Sequence, residues 1–338
     1  MKMNTRVRMR TGTRMTLMMV LVLGLGCLSG MCLVQAVETK PENNNCKVWQ
    51  KTMKNAKNIC HGNKKLGHRC TSQLGQDVVL NATFDYLGVT NKQCVEFGFG
   101  YGNQAMLNDL TVSTLAEGTR IFSGLNVQDL MRNGFKATFF DAELSAPHVG
   151  LVKSVLTRKT IGDSFRAAGI PVDVDYVSID VDSIDVWLLL GMFESGFRPR
   201  VLSVEYNCNF AFDEHITCVE EWSRFDGTFI YGASAGAINF VASKYGYTLV
   251  HIEQLLDLFF VRNDILKDKG CVVPPAESFY EGHRVRLHKR ARPEVAAKRL
   301  VEFHLAYEGK LEEAHKEAMQ IVRSAPNRTN NPNFVLLR

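Results

Sequence analysis

The stretch DYVSIDVD, Asp175–Asp182, decides the fold of this 338-residue chain. Its apolar positions Val177 and Ile179 alternate with polar ones, which predicts a short strand. Acidic residues follow the strand, and the apolar helical stretch Val186–Phe193 comes directly after them. A strand that leads into a helix in this way is the repeating unit of an α/β sheet.

Three further strand candidates lie outward from this stretch in both directions. They are QCVEF at Gln93–Phe97, FKATFFD at Phe135–Asp141 and RVLSVEYN at Arg200–Asn207. Two more helical stretches, Val127–Arg132 and Thr160–Ala168, lie between them. This alternation predicts an α/β fold with a mostly parallel sheet and helices on both of its faces.

The sequence after the fourth strand indicates how the sheet closes. A long loop, Asn209–Phe229, precedes a helix that Ser234 caps and Gly246 ends. YTLVHI at Tyr247–Ile252 and LDLFFVRN at Leu256–Asn263 then read as two strands joined by a short turn. We therefore expect the sheet to end in a C-terminal antiparallel β-hairpin.

The chain divides into four segments. Residues 1–36 are basic and then apolar, 37–76 are a cysteine-containing stem expected to be loop-rich, 77–270 hold the α/β domain, and 271–338 are a basic and helical extension. In the extension, Pro293 opens an amphipathic helical stretch that we expect to break at Gly309.

The first segment has the pattern of a targeting signal. Five basic residues within positions 2–14 precede Met15–Ala36, which contains no charged residue. The pattern fits a cleaved signal peptide, and the apolar stretch is also long enough to remain as a membrane anchor. Because positive charge stays in the cytosol, the body is expected on the lumenal side of the ER or Golgi as a single-pass type II protein, or secreted.

The net charge of the protein argues against a nucleic acid as its partner. Removing the five N-terminal basic residues from the 40 in the chain leaves as many as the 35 acidic residues. A neutral body does not support nucleic-acid binding, which needs a basic surface. One local basic run, Gly282–Arg292, is either a solvated linker or a contact for an anionic ligand or membrane surface.

Cysteines and glycosylation sequons are compatible with a lumenal location. Cys46, Cys60 and Cys70 cluster before the main domain and are expected to form disulfides in an oxidising compartment. Zinc binding is the less favoured alternative for this cluster, because the spacing contains no C-x-x-C. Asn81 and Asn327 begin sequons for glycosylation.

Polar residues at strand ends are the first candidates for a site, because ligands of parallel sheets bind beyond the carboxyl ends of strands. Glu96 ends the first strand, and Gly98 and Gly100 follow it, where the lack of a Cβ lets a cofactor approach the backbone. The alternative is a flexible loop. Asp141 ends the second strand, where an acid accepts hydrogen bonds from a ribose or, alternatively, caps a turn.

The third strand end gathers several carboxylates. Asp180, Asp182 and Asp185 follow the apolar strand, and Glu205 and Asn207 end the neighbouring one. Carboxylates packed together need a cation or hydrogen-bond donors, so the cluster suits a hard divalent metal or a general base. In the structural alternative, Asp182 and Asp185 cap the next helix. If the strand continued far enough, alternation would place Asp180 and Asp182 on one side of it.

These segments resemble S-adenosylmethionine-dependent methyltransferases of the FkbM type and a related family of uncharacterised methyltransferase-like proteins. The resemblance covers Gln93–Asp264 and is most specific in SIDVDSIDVW (Ser178–Trp187) and FRPRVLSVEYN (Phe197–Asn207). A parallel sheet ending in a helix and a β-hairpin is also typical of methyltransferase domains. The resemblance implies a Rossmann-like methyltransferase fold and S-adenosyl-L-methionine as the cofactor.

The function expected on this basis is O-methylation of a hydroxyl on a sugar or glycan in the secretory pathway. The cofactor-binding candidates are Glu96, Gly98, Gly100, Asp141 and Asp180. The catalytic candidates are Asp182, Glu205 and Asn207, and Asp180 and Asp182 are the ligands expected for Mg²⁺ or Mn²⁺. The expected partners are a small-molecule or glycan acceptor and, if the anchor is retained, a membrane; the oligomeric state stays open.

Two other classes of function fit part of the sequence. A glycosyltransferase would use Asp180-Val181-Asp182 as its Asp-x-Asp motif, behind a short tail, an anchor and a stem. This class leaves the glycine-rich turn and the closing hairpin unexplained. The other alternative is a binding protein that keeps the fold without catalysis, since a fold does not establish a function.

Overall fold

A seven-stranded sheet forms the centre of the structure, a computed structural model that describes residues 43–56, 58–59, 70–72, 75–97, 99, 104–117, 125–221, 231–253, 255–279 and 298–324. The strands of this sheet are β1 (Gln93–Phe97), β2 (Lys136–Asp141), β3 (Leu151–Lys153), β4 (Tyr176–Ile179), β5 (Val201–Glu205), β7 (Tyr247–Ile252) and β8 (Asp257–Arg262). Their order across the sheet is β3-β2-β1-β4-β5-β8-β7.

The pairing confirms the fold expected from the sequence. Strands β1 to β5 are parallel to one another, whereas β8 is antiparallel to both β5 and β7. The four strands predicted from alternation are β1, β2, β4 and β5, and the predicted hairpin is β7–β8. The molecule is thus an α/β, Rossmann-like sheet that closes with an antiparallel hairpin.

The helices cover both faces of this sheet, except for the C-terminal helix, which packs on a separate two-stranded sheet. They are α1 (Asn44–Lys54), α2 (Gln76–Leu87), α3 (Gln104–Asn108), α4 (Val112–Glu117), α5 (Gln128–Arg132), α6 (Ile161–Ala167), α7 (Asp185–Glu194), α8 (Ala235–Lys244), α9 (Asn263–Asp268), α10 (Phe303–Tyr307) and α11 (Leu311–Ser324). Ser234 accepts the Ala237 amide and so caps α8, as the sequence predicted. The short helices α3 and α4 lie in the mixed stretch after β1, where the sequence predicted none.

Alternation along the strands divides the core into two apolar clusters. Val177 and Ile179 of β4 belong to the cluster that includes α6, α7 and α8. Their neighbour Tyr176 belongs to the other cluster, with residues of α1, α2 and α5. Because successive strand residues point to opposite faces, the two clusters lie on opposite sides of the sheet. Helix α7 is buried at nine of its ten positions, which fixes the segment that follows β4.

A second, two-stranded sheet lies in regions where the sequence predicted none. Strand β6 (Ile216–Cys218) occurs within the expected long loop, and β9 (Leu300–Glu302) occurs within the expected C-terminal helix. The two strands are antiparallel, with Ile216 opposite Glu302. A three-residue strand has no measurable period, and β9 is stabilised by β6 rather than by local propensity. The expected break at Gly309 is confirmed, because its φ of +81° lies in the left-handed region that ends helices.

The expected loop-rich stem contains a helix packed on the domain. Residues Cys46, Trp49 and Met53 of α1 are buried, and their spacing puts them on one helix face. The indole of Trp49 stacks on Tyr86 at 4.8 Å between ring centroids and donates a 3.2 Å hydrogen bond to Thr83. The stretch 44–54 is therefore part of the core, and the expectation of loops there is wrong.

A disulfide joins the two flanks of the domain. Cys46 is bonded to Cys271, 225 residues away along the chain. The sequence suggested bonds within the cluster of Cys46, Cys60 and Cys70, but α1 turns Cys46 toward the segment after α9. Cys70 is also disulfide-bonded.

The structure describes one of the two predicted glycosylation sequons and does not describe the N-terminal targeting segment. Asn81 lies in α2, its side-chain amide donates to Asp129, and Thr83 of the same sequon is buried, so the folded chain does not present this sequon. The second sequon, Asn327, and the N-terminal targeting segment lie outside the described residues. Among the residues that are described, no helix is long and apolar enough to cross a bilayer.

Replacing both Cys46 and Cys271 with alanine is expected to lower the free energy of unfolding by about 2–5 kcal/mol, because the unfolded chain loses its longest-range cross-link. Urea unfolding followed by circular dichroism measures the loss. Peptide mapping without reductant is the control, and it should recover Cys46 linked to Cys271. An unchanged urea midpoint, or Cys46 linked instead to Cys60 or Cys70, would contradict the pairing.

Candidate functional site

The carboxyl ends of the parallel strands form the edge where a site is expected. From β1 the chain proceeds outward to β2 and β3 on one side, and β4 and β5 lie on the other. Ligands of open α/β sheets bind at such a reversal of strand order. Phe97, Asp141, Ile179 and Glu205 end the strands on either side of the reversal.

Three carboxylates meet at this edge. Asp180 and Asp182 follow β4, Glu205 ends β5, and one oxygen of each lies within 4.8 Å of the others. Strand β4 ends at Ile179, so strand alternation does not bring the two aspartates together. A turn does so instead, because Asp182 adopts a left-handed conformation with φ +54°. Aspartate tolerates this region better than most residues, and non-glycine residues there cluster at functional sites.

Asp185 holds the turn in place. One of its carboxylate oxygens accepts the amide of Val181 at 2.8 Å, and the other accepts the amide of Ser183 at 3.0 Å. The proposed helix cap is wrong: the N-cap of α7 is Ile184, with no side-chain hydrogen bond to the helix. Asp185 is the first residue of the helix and, by binding the preceding amides, fixes Asp182 beside Glu205.

Burial and mutual repulsion raise the pKa values of these carboxyl groups. Burial and the nearby charge of Asp182 raise the pKa of Asp180 from 3.8 to about 6. Burial, followed by repulsion from Asp180, raises the pKa of Asp185 to about 7. The pKa of Glu205 is raised well above its ordinary value by burial and by Asp180. One Glu205 oxygen is buried with no hydrogen-bond partner, so the cluster is short of positive charge or donors.

The composition of the cluster suits a hard divalent cation. Within the described part of the chain, no lysine or arginine forms an ion pair with Asp180, Asp182 or Glu205. Carboxylate oxygens are the ligands that Mg²⁺ and Mn²⁺ prefer. A cation bound here would occupy the side of Glu205 that lacks a partner and would offset the repulsion.

The sequence missed one further acid, Asp257. It begins β8 directly opposite Glu205 in the antiparallel pair, is almost fully buried, and has one oxygen without a hydrogen-bond partner. Its other oxygen accepts the side-chain amide of Gln76 at 3.2 Å. Burial and the charge of Asp180 raise its pKa. A signal existed in the sequence, since an acid opening the apolar strand LDLFFV is unusual.

Glu96 has a different environment from the one expected of a cofactor ligand. Its two oxygens accept the backbone amides of Asn126 and Val127, each at 3.0 Å. Burial raises its pKa to about 7, although these two hydrogen bonds oppose the shift. The side chain of Asn126 donates to Ser178 on β4 at 3.1 Å. Glu96 therefore fixes the segment before α5 against the sheet.

The turn role proposed for Asp141 is confirmed, whereas the ribose role stays a prediction. Its Oδ1 accepts the amides of Glu143 at 2.7 Å and Leu144 at 2.8 Å, so it holds a turn after β2. These bonds do not use Oδ2, and the residue is half-buried. An acceptor for a ribose hydroxyl is thus compatible with the turn.

The remaining predicted residues are Asn207 and the two glycines that follow β1. Gly98 and Gly100 lie outside the described residues. Asn207 is fully buried: its side-chain nitrogen donates to the carbonyl of Tyr231 at 2.9 Å, and its oxygen accepts from Asn209. These bonds tie together the ends of the segment that contains β6. The structure gives Asn207 a part in holding that segment.

Comparisons with known proteins do not assign this chain to a family. No protein-family model matches the chain, and a search of curated proteins finds no match either. The function has to be argued from the chemistry of the strand-end edge.

Mg²⁺ or Mn²⁺ is expected to raise the melting temperature of the protein, and to do so more at about pH 8 than at about pH 5. Because the pKa values of Asp180 and Asp185 are raised in the folded state, the cation-free protein loses stability as pH rises from about 4 to about 7. At low pH, protons occupy the site and compete with the cation.

Thermal unfolding with and without cation measures the effect, which reaches about 2.7 kcal/mol at a concentration about 100 times Kd. Asp182→Asn should lose most of the response. Asp163→Asn is the matched control, because Asp163 is exposed and pairs with Arg166 on the same helix. Equal responses from the two variants would exclude the cluster as the cation site.

Proposed function

We propose that this chain is an S-adenosylmethionine-dependent methyltransferase that methylates a hydroxyl group, with a sugar or glycan as the acceptor. The observation that carries the proposal is the carboxylate cluster of Asp180, Asp182 and Glu205 beside the reversal of strand order. The closing hairpin β7–β8, typical of methyltransferase domains, supports the same class of enzyme over an Asp-x-Asp glycosyltransferase.

The residues around the edge fit the cofactor in two respects. Asp141 offers a carboxylate oxygen to a ribose while its other oxygen keeps the turn in place. The acidic edge also favours the positive charges of the sulfonium and amino groups. When bound, the cofactor supplies an electrophilic methyl group. The sequence around Gly98 and Gly100 agrees with a close approach to the backbone, and Glu96 fixes the neighbouring segment.

The carboxylates would prepare the acceptor. A hydroxyl group is a weak nucleophile until it loses its proton or binds a metal ion. Mg²⁺ or Mn²⁺ held by Asp180, Asp182 and Glu205 would lower the pKa of an acceptor hydroxyl. Without a metal, Asp182 would accept the proton, and the raised pKa values of the cluster suit a general base. We favour the metal, because the unpartnered oxygen of Glu205 is then satisfied.

A lumenal location supports a glycan as the acceptor. The Cys46–Cys271 disulfide requires an oxidising compartment, in agreement with the N-terminal targeting pattern. Sugars and glycans are the abundant hydroxyl acceptors of the secretory pathway. The protein would act on the lumenal side of the ER or Golgi as a type II protein, or after secretion.

Isothermal titration of the protein with S-adenosylmethionine is the first test. Asp141→Asn should weaken binding about 10- to 100-fold, because a ribose hydroxyl loses a charged acceptor worth about 1.5–3 kcal/mol. Asparagine keeps an Oδ1 for the amides of Glu143 and Leu144, so the melting temperature should not change. Absence of wild-type binding at about millimolar cofactor would refute the proposal, and equal binding by the variant would remove Asp141 from the site.

Asp182→Asn is expected to lower methyl transfer about 10²- to 10⁴-fold without changing cofactor affinity. Asparagine also tolerates the left-handed conformation at this position, so the turn should persist. The assay follows labelled methyl groups from S-adenosylmethionine to a panel of glycans with Mn²⁺ or Mg²⁺, and Asp163→Asn is the control. Full activity of Asp182→Asn in the presence of a chelator would exclude Asp182 both as a metal ligand and as a general base. Hydrolysis of UDP- or GDP-sugars without cofactor binding would favour the glycosyltransferase.

A further inference from the structure

A second group of metal-ligating side chains lies on the two-stranded sheet. His215 immediately precedes β6, Glu302 ends β9, and His304 is the second residue of α10. The antiparallel register continues past the strands, because the amide of Phe303 donates to the carbonyl of His215 at 2.7 Å. Pairing of the two strands thus brings together two histidines that are 89 residues apart in sequence.

The three side chains point at one another. Nε2 of His304 and Nδ1 of His215 are in direct contact, and one ligand atom from each of the three residues lies within 4.8 Å of the others. All three residues are half-buried. Glu302 accepts the amide of Leu305 at 2.8 Å through Oε2, which fixes the carboxylate and leaves its other oxygen out of that bond.

The surroundings hold the two imidazole rings in position. A Cβ on Gly236 of α8 would lie 2.7 Å from the His215 ring and 2.1 Å from the carbonyl oxygen of Phe212, so the helix packs directly on the segment before β6. The ring of Phe240, one turn further along α8, lies 4.3 Å from the ring of His304. An apolar wall on this side lowers the local dielectric and strengthens any interaction with a cation.

The histidines are suited to bind a metal in their neutral forms. A neutral imidazole has a lone pair available for a metal, whereas a protonated one does not. Two facing ring nitrogens share at most one proton in the absence of a metal. In a tetrahedral zinc site, bonds of about 2.0–2.1 Å would separate the same nitrogens by roughly 3.3 Å, a small adjustment of two side chains.

We infer that His215, Glu302 and His304 form a Zn²⁺ site, distinct from the carboxylate cluster and independent of the proposed methyl transfer. Two imidazoles and one carboxylate are a known zinc ligand set that keeps a fourth position for water or another ligand. Nitrogen ligands also separate this site from the all-oxygen cluster, which suits Mg²⁺ or Mn²⁺. Bound zinc would fasten β9 and α10 to the segment before β6.

The test is zinc binding by the full chain, purified in mild detergent without a polyhistidine tag and with Mg²⁺ in excess to occupy the carboxylate cluster. Competition with a chromophoric chelator measures affinity, and Co²⁺ substitution reports the ligands through its visible spectrum. His304→Gln and His215→Asn preserve the hydrogen-bonding nitrogen in nearly the same place but are poor zinc ligands. His148→Gln is the matched control, since His148 is not one of the three proposed ligands and its Nε2 contacts the carbonyl oxygen of Leu110.

We expect one equivalent of zinc in the wild type and in His148→Gln, a Co²⁺ spectrum without thiolate charge transfer, and an affinity at least about 100-fold weaker in either ligand variant. Zinc should raise the melting temperature of the wild type and not that of His304→Gln. Equal zinc affinity in the wild type and both ligand variants would overturn the site, as would a thiolate signal in the Co²⁺ spectrum.

Discussion

The arrangement of the sheet depends on the buried carboxylate of Asp175, which lies at the amino end of β4 and is neutralised by an arginine and backbone amides. Asp175 is completely buried, accepts the amides of Thr90, Asn91 and Lys92, and forms a 2.6 Å ion pair with Arg200. These bonds join the turn before β1 to the beginnings of β4 and β5, and so set the relative position of three central strands. Removing one partner of a buried ion pair typically costs about 3–5 kcal/mol, because the other charge stays buried.

The opposite end of the same strand lacks this compensation. Asp180 and Asp182 lie beside Glu205 and Asp257, and two of the carboxylate oxygens there have no hydrogen-bond partner. Among the described residues, an arginine therefore pairs with the buried acid at the amino end of β4, and none pairs with Asp180, Asp182 or Glu205 at the carboxyl end. Carboxylate oxygens without partners that gather at one edge of the sheet are a pattern expected of a functional site.

The sequence predicted the parts of the fold that repeat and missed the parts that depend on a distant partner. Alternating apolar residues identified β4 and the apolar run RVLSVEYN identified β5, because each strand has four consecutive buried residues. Strands β6 and β9 have three residues each and exist through each other, so neither has a local signal. The same limit applies to His215 and His304, which only strand pairing brings together. For the carboxylate cluster, the sequence predicted Asp180, Asp182 and Glu205, whereas the left-handed turn at Asp182 and the position of Asp257 opposite Glu205 follow from the three-dimensional fold.

The link between Cys46 and Cys271 has a consequence for biosynthesis. During translation, Cys46 emerges 225 residues before its partner, which at about 5–20 residues per second is a delay of roughly 11–45 s. Cys60 and Cys70 emerge within that interval and are the nearest competitors for the thiol of Cys46. Correct pairing must await the completed sheet, which carries α1 next to the end of α9. Early pairs of Cys46 with Cys60 or Cys70 would have to be broken by thiol–disulfide exchange before Cys46 could bond to Cys271, so this exchange would limit the yield of native molecules.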